Sequence, residues 1–381
     1  MEEILFTLLC IGLETKTVSE VTPRAFSVMS LKDWQELRAM ADKQSVSAIV
    51  FDGLNTLVAE YGKEEIAPKI PMGEWQLFVY DWIGVMTQVE FRNKQQLAVL
   101  EDLSSKWKGR GCWVMVMKGL ASGMMFPKPQ HRSPGDIDCY LINNNDDENV
   151  KGYQIGNKVA REVGAKVDES WYKHSVISYK GETFENHQYF VHTRDGKRGK
   201  QLNQELVEEL KVQGSWFMDE RAKLTEYTYM PPVQWNAMFL TYHACSHFVS
   251  EGLRLKQILD WAMFLKSHQN DVNWPEFYAF CERNHLRRFA DAMTAIAVNY
   301  LGIKVTQDSQ ITTESPYAEK ILHNTLYDDD YVFSSGESGW KNRWHIVKNL
   351  FKYRWKYEEI YQQSVWKQLW WYVSGFMFKT E

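Results

Sequence analysis

The sequence predicts an α+β fold: a small mixed-sheet core flanked by helical N- and C-terminal segments. Three observations carry that expectation. Apolar residues recur at helical spacing through the first 108 positions and again from about residue 201. Between these stretches, short apolar runs bounded by Gly and Pro replace the helical period. The length, 381 residues, has room for two or three domains. The expected division is a helical N-terminal segment at 1–108, an α/β core at 109–200, a helical domain at 201–335 and a basic aromatic C-terminal segment at 336–381.

The first apolar run, "MEEILFTLLCIGLETK", opens with two acids, where a secretory leader would carry positive charge. It reads as a buried helix. In "SLKDWQELRAMADKQ", Ser30 stands as N-cap and Asp33 follows three residues on, an acid well placed for the helix dipole. Leu31, Trp34, Leu37 and Ala41 keep helical spacing. The stretch from Gly73 supports one long helix or two, with Leu97, Leu100, Leu103 and Trp107 on one face and Gly109 and Gly111 as the stop.

Then "CWVMVM", 112–117, reads as a buried strand, and "LASGMMF" as one or two helical turns. "PKPQHRSPG" is a loop and "DIDCYLI" a second strand. The polar run "NNNDDEN" offers N-caps; Ile155, Val159 and Val163 give a helix that ends at Gly164. "HSVISYK" and "GETFENHQYFVH" form a hairpin joined at Gly181. From the prolines at 231–232 a helix runs on until Gly252 breaks or bends it. "ESPYAEKILHNTLY" is a further short helix.

Composition excludes some classes. A net charge of −5 carries no global nucleic-acid footprint. The five cysteines lack C-x-x-C spacing, which speaks against a disulfide frame or a structural zinc site and for a reducing compartment. No apolar run reaches the ~18–20 residues that span a bilayer. A cytoplasmic protein is expected. From Lys341 on there are eight Lys or Arg against three Glu, among many aromatics. That tail is expected to pack as a last helix, and its mix also fits weak contact with a membrane surface.

The chemistry concentrates around "HRSPGDIDCYLI". Asp136 and Asp138 are two apart, so a strand would put both on one face, where like charges repel. A cation relieves that repulsion. Upstream, the first strand runs into "VMKGLASG". A glycine there lets backbone N–H groups approach an anion, and Lys118 adds a point charge beside Gly119. Downstream, Glu185 and His187 share a face of a later strand. Three carboxylates, a glycine turn, Lys118 and Arg132 together suit a divalent metal with phosphates, since Mg²⁺ is held by a few carboxylates plus substrate phosphates.

Those same residues resemble the nucleotidyltransferase superfamily with the DNA polymerase β-like fold. "KG", "FPKP", "R" and "GDIDCYL", followed by Glu185-x-His187, look closest to its bacterial family of uncharacterised nucleotidyltransferases. The motifs lie within about residues 112–192, with a looser likeness in "EGLRLKQILDW". The resemblance implies a nucleotidyltransferase core in which Asp136, Asp138 and Glu185 ligate Mg²⁺, two ions in all. Glu185 would also accept the acceptor's proton. Lys118, the turn at Gly119, Arg132 and His187 would serve an NTP, ATP in first place. An acceptor hydroxyl, on an unidentified small molecule or macromolecule, would attack the α-phosphorus and release pyrophosphate. The superfamily carries Gly-Gly or Gly-Ser in the turn. Here it reads Lys118-Gly119-Leu120, the gap to Asp136 is longer, and Ser122 is the hydroxyl to substitute.

Two other readings share these residues. One is a catalytically inactive binding or scaffold protein of the same fold. The other is a toxin-like nucleotidyltransferase acting on protein or tRNA, hinted at by the basic loop 194–200 and the basic tail. His243 and His247 have a zinc-capable spacing, but Ala244 stands where a zincin has its Glu, and core or interface histidines are expected. Arg254 and Asp260 are expected as a surface salt bridge, and Asp328 to Asp330 as a solvated loop.

Overall fold

A computed structural model describes residues 1–143, 150–193, 196–214, 216–250, 252–306, 310–328 and 340–370. Most of the polar run after Ile142, part of the basic loop 194–200, two of the three acids at 328–330 and the tail from 371 lie outside the described residues.

Twelve helices of ten or more residues are described: α1 Glu2–Gly12, α2 Leu31–Lys43, α3 Ser47–Tyr61, α4 Met72–Lys108, α5 Val150–Glu162, α6 Lys197–Val212, α7 Val233–Ser250, α8 Leu255–His268, α9 Trp274–Arg283, α10 Arg287–Asn299, α11 Ala318–Tyr327 and α12 Trp340–Lys352. The strands are β1 Cys112–Val116, β2 Ile137–Asn143, β3 Lys166–Asp168, β4 His174–Tyr179, β5 Glu182–His187 and β6 Thr228–Tyr229. The α+β expectation holds, with a mixed sheet set between helical segments.

Local sequence explains the main boundaries. Ser30 caps α2 by accepting from the Asp33 N–H, and Asp33 accepts in return from the Ser30 N–H at 2.7 Å, a reciprocal capping box. The stretch from Met72 is one helix of 37 residues. Its buried face runs through Asn93, Gln96, Val99, Leu100, Leu103 and Trp107, and Leu97 is exposed instead. Lys180 and Gly181 both have positive φ, the two-residue turn that matches strand twist, so β4 and β5 form a tight hairpin. Gly252 has φ +92°, and its N–H closes onto the His247 carbonyl, ending α7 before α8 begins.

The sheet order is β3-β4-β5-β2-β1-β6. β2 pairs antiparallel with β1 and parallel with β5. Strands β3 and β6 escaped the sequence reading; at three and two residues they carry no period long enough to read. One sheet face presents Ile137, Cys139, Leu141, Ile177 and Phe184 to α4 and α5. The other presents Met115, Met117 and Tyr140 to the large helical core, where Tyr140 meets Phe190 and Phe190 meets Trp235. Asp138 lies on that second face, two residues from Tyr140.

The loop before β2 is anchored from both sides. Asn93 donates to the carbonyls of Gln130 and Arg132, and Gln96 to that of Gly135. His131 lies between Asp52 of α3 (2.6 Å) and Glu90 of α4 (2.7 Å). On the far side the Arg132 guanidinium grips Asp260 of α8 with two bonds of 2.7 Å, both residues buried. Asp260 is therefore neither exposed nor paired with Arg254.

Asp260→Leu leaves that guanidinium buried without its counter-ion. Urea denaturation should show a loss of about 3–5 kcal/mol, with Arg132→Met plus Asp260→Leu recovering most of it. A loss below about 1 kcal/mol would mean that the pair behaves as a solvated one.

Candidate active site

β2 begins at Ile137, so Asp136 precedes the strand and is exposed, whereas Asp138 is 2% exposed. The β2–β5 register sets Asp138 opposite Glu185. The β4–β5 register sets His174 opposite His187. Four side chains of the same sheet face thus converge. His187 Nε2 stands 3.1 Å from Asp138 Oδ1 and 3.3 Å from Glu185 Oε2; His174 Nε2 stands 3.5 Å from Glu185 Oε1. The other nitrogen of His187 faces the Tyr189 carbonyl at 3.2 Å.

Electrostatics separate the two aspartates. Burial pushes the Asp138 carboxyl up, but the Lys118 ammonium and His187 outweigh it and hold it well below the usual carboxylate range. Partial desolvation raises Asp136, and the negative charges of Glu185 and Asp138 add to the rise. Burial takes His174 down to about 4 against the pull of Glu185, with His187 deepening the drop. Lys118 Nζ is 3.1 Å from Asp138 Oδ2, yet among the described residues no hydrogen-bond donor is aimed at that buried oxygen. A buried carboxylate oxygen short of a donor, with two more carboxylates beside it, fits a hard divalent cation such as Mg²⁺.

Gly119 follows at φ +68°, ψ −110°, a backbone state for glycine. A single helical turn, Leu120–Gly123, comes next. Ser122 in that turn is 2% exposed, and its hydroxyl has no partner among the described residues. It points into the fold rather than into the cleft in front of Gly119.

That cleft, about 150 Å³, is lined by Lys118, Gly119, Gly135, His243, His247 and Lys256, with Arg132 and Asp260 at its wall. The volume suits a phosphate group rather than a whole nucleotide, since small-molecule pockets run to roughly 300–1,000 Å³. Arg132 has both fork nitrogens on Asp260, so its charge is already balanced and it shapes the wall. Burial, Lys118 and His247 drive His243 well below the ordinary histidine range, so it is neutral. Burial and the positive charge of Arg132 lower the Lys256 ammonium to about 8.

Sequence reasoning missed His174 and Lys256 and placed the α7 histidines elsewhere. His174 was within reach: once the hairpin turn is set at Lys180-Gly181, counting back pairs it with His187. Lys256 carried no local signal, because its position depends on how α8 docks.

Lys256 generates a prediction. The folded chain holds this proton less tightly than the unfolded chain, whose lysine has the ordinary value of 10.5. The penalty is full below pH 8 and fades as pH rises towards 10.5. Lys256→Met should therefore stabilise the ligand-free protein at neutral pH by about 1–2 kcal/mol, measured by denaturant titration, and lose that advantage in alkali. A destabilised variant at neutral pH would show that the ammonium is already compensated.

Residues 30–302 match the model of a family described as uncharacterised nucleotidyltransferase. No curated protein and no solved structure matches the chain. The matched span covers the glycine turn, both aspartates, the Glu185 hairpin and the helices that wall the cleft. With more than two thirds of its length inside that match, the chain belongs to the uncharacterised nucleotidyltransferase family.

Proposed function

We propose that the protein moves a nucleotidyl group from an NTP, ATP in first place, to an acceptor hydroxyl in a Mg²⁺-dependent reaction. One observation supports this above the others. Lys118 lines the cleft with Gly119 and Lys256 and also reaches Asp138, which is paired in register with Glu185 and close enough to Asp136 for their charges to repel. Acid for a cation and base for phosphates stand side by side, as in-line displacement at phosphorus needs.

In this reading the acceptor oxygen bonds to the α-phosphorus as the bridge from the α-phosphorus to the β-phosphate oxygen breaks, and pyrophosphate leaves with that oxygen. Bound Mg²⁺ would neutralise charge on the reacting phosphates and polarise them. Asp136, Asp138 and Glu185 would hold it. Glu185, 24% exposed and facing the cleft side of the sheet, would take the hydroxyl proton. Lys118 and Lys256 would offset charge on the departing pyrophosphate. An NTP in the cleft supplies the counter-charge that Lys256 lacks, so binding near pH 8 should take up a proton.

The test is pyrophosphate release from ATP with Mg²⁺. Asp136→Asn with Asp138→Asn should fall below about a hundredth of the parent rate while circular dichroism stays unchanged. Parent-like turnover in the double variant would remove these carboxylates from the chemistry. Thermal shift with Mg²⁺ and each NTP tests whether nucleotide binds at all: a ligand at 100 times its Kd adds ~2.7 kcal/mol whether or not it reacts, so no shift with any of them favours a scaffold.

A further inference from the structure

Glu185 belongs to a second constellation besides the three carboxylates. Its two oxygens face two imidazoles: Oε1 faces His174 and Oε2 faces His187, at 3.5 and 3.3 Å. One ligand atom from each of His174, Glu185 and His187 lies within 4.8 Å of the others. Ligands bound about 2.0–2.2 Å from one cation stand roughly 3–3.5 Å apart, so these three need only small side-chain rotations to close on an ion.

A second observation concerns the two ring nitrogens of His187. Its Nδ1 faces the Tyr189 carbonyl, which can only accept. Its Nε2 faces two carboxylates, Asp138 at 3.1 Å and Glu185 at 3.3 Å. A cation seated beside Nε2 would meet that nitrogen and both carboxylates while Nδ1 donates to the carbonyl. A histidine that donates one N–H to a carbonyl and turns the other nitrogen to a cation has the ordinary arrangement of a metal ligand. On the hairpin's other strand, His174 Nδ1 is buried without a partner. Among the described residues, Glu185 and the His187 ring are what engage this imidazole.

We propose that His174, Glu185 and His187 form a separate cation subsite for a borderline divalent metal such as Zn²⁺, Co²⁺ or Mn²⁺. Two imidazole nitrogens and one carboxylate make a poor home for Mg²⁺, which prefers an all-oxygen shell, and a good one for those ions. Glu185 joins the two positions: it faces the aspartates on one side and the histidines on the other. The Tyr189 carbonyl, 3.2 Å from the His187 Nδ1, is then the outer partner that steadies the ring. The subsite does not depend on nucleotidyl transfer; it would exist in a protein that only binds nucleotides.

The test uses the full chain, stripped of metal, without nucleotide. Co²⁺ is titrated in a background of millimolar Mg²⁺ and followed by its visible absorption, with Zn²⁺ stoichiometry read by elemental analysis. The expected result is one ion per chain that Mg²⁺ does not displace. His174→Asn and His187→Asn should each weaken Co²⁺ binding by about tenfold or more. Asp136→Asn should change it by less than about threefold, because that carboxylate is outside the three-ligand set. The thermal midpoint of each variant is measured alongside, and His174→Asn, on a half-buried ring without other bonds, keeps the test valid if His187→Asn unfolds. Displacement by Mg²⁺, parent-like Co²⁺ binding in His174→Asn, or a larger loss in Asp136→Asn than in His174→Asn would overturn the subsite. ATP turnover enters none of these readouts, so the two proposals fail separately.

Discussion

A carboxylate that is 2% exposed inside a sheet has to be answered with positive charge, and Asp138 organises its surroundings accordingly. Leaving it ionised and unpaired would cost several kcal/mol; protonating it would remove its use as a ligand. The chain keeps it ionised with Lys118 on one oxygen and His187 on the other. That answer constrains the backbone around it. Lys118 reaches Asp138 because β1 runs antiparallel beside β2, and the Met117 N–H bonds to the Asp138 carbonyl. His187 reaches it because β5 runs parallel on the opposite side, in register to within the two residues that separate Glu185 from His187.

The helical layer is part of the same arrangement rather than a cover laid over it. α7 brings His243 and His247 to the cleft, and α8 brings Lys256 and the Asp260 that holds Arg132. Arg132 also lends its carbonyl to Asn93 of α4, so one loop residue links the helices before the sheet to those after it. Polar contacts from α3, α4 and α8 converge on nine residues, Pro127 to Gly135, just upstream of Asp136. A hydrogen bond contributes about 1 kcal/mol net, so the gain in stability is modest. The gain in position is larger, because a loop fixed from both sides presents Asp136 without an ordering cost when a cation or phosphate arrives.

Legibility in the sequence followed the range of each interaction. The capping box at Ser30-Asp33, the glycine stops and the hairpin at Lys180-Gly181 are local and could be read. Asp138 stood out because a carboxylate inside an apolar strand is hard to explain blandly, whereas Glu185, in the largely polar run Thr183 to Gln188, stood out through the resemblance. Arg132 was expected to contact phosphate, and the Asp260 that engages its guanidinium lies 128 residues away, where no spacing announces it. The same holds for Lys256. Asn93 and Gln96 sit on the buried stripe of α4 where the helical period predicts apolar residues; they break the pattern because the loop carbonyls they serve are there. Leu97 was misplaced onto that face because three leucines at close spacing mimic a stripe that the true period carries through Gln96 instead.

The division of charge across the site bears on what can bind it. The acids Asp136, Asp138 and Glu185 stand at the sheet; Lys118 just past the end of β1 and Lys256 of α8 line the cleft beside them, as does the neutral His243 of α7. A bare anion would be drawn to the lysines and repelled by the acids, and a bare cation the reverse. A ligand carrying both, a polyphosphate with its divalent ion, satisfies the two halves at once. The short reach between the halves strengthens that preference, since Lys118 contacts Asp138 and lines the cleft as well. Because the cleft has space for a phosphate and little more, recognition of a base or an acceptor in the proposed reaction would come from surfaces beyond its mouth. Charge thus selects the class of ligand in the interior, while its identity is left to the rim.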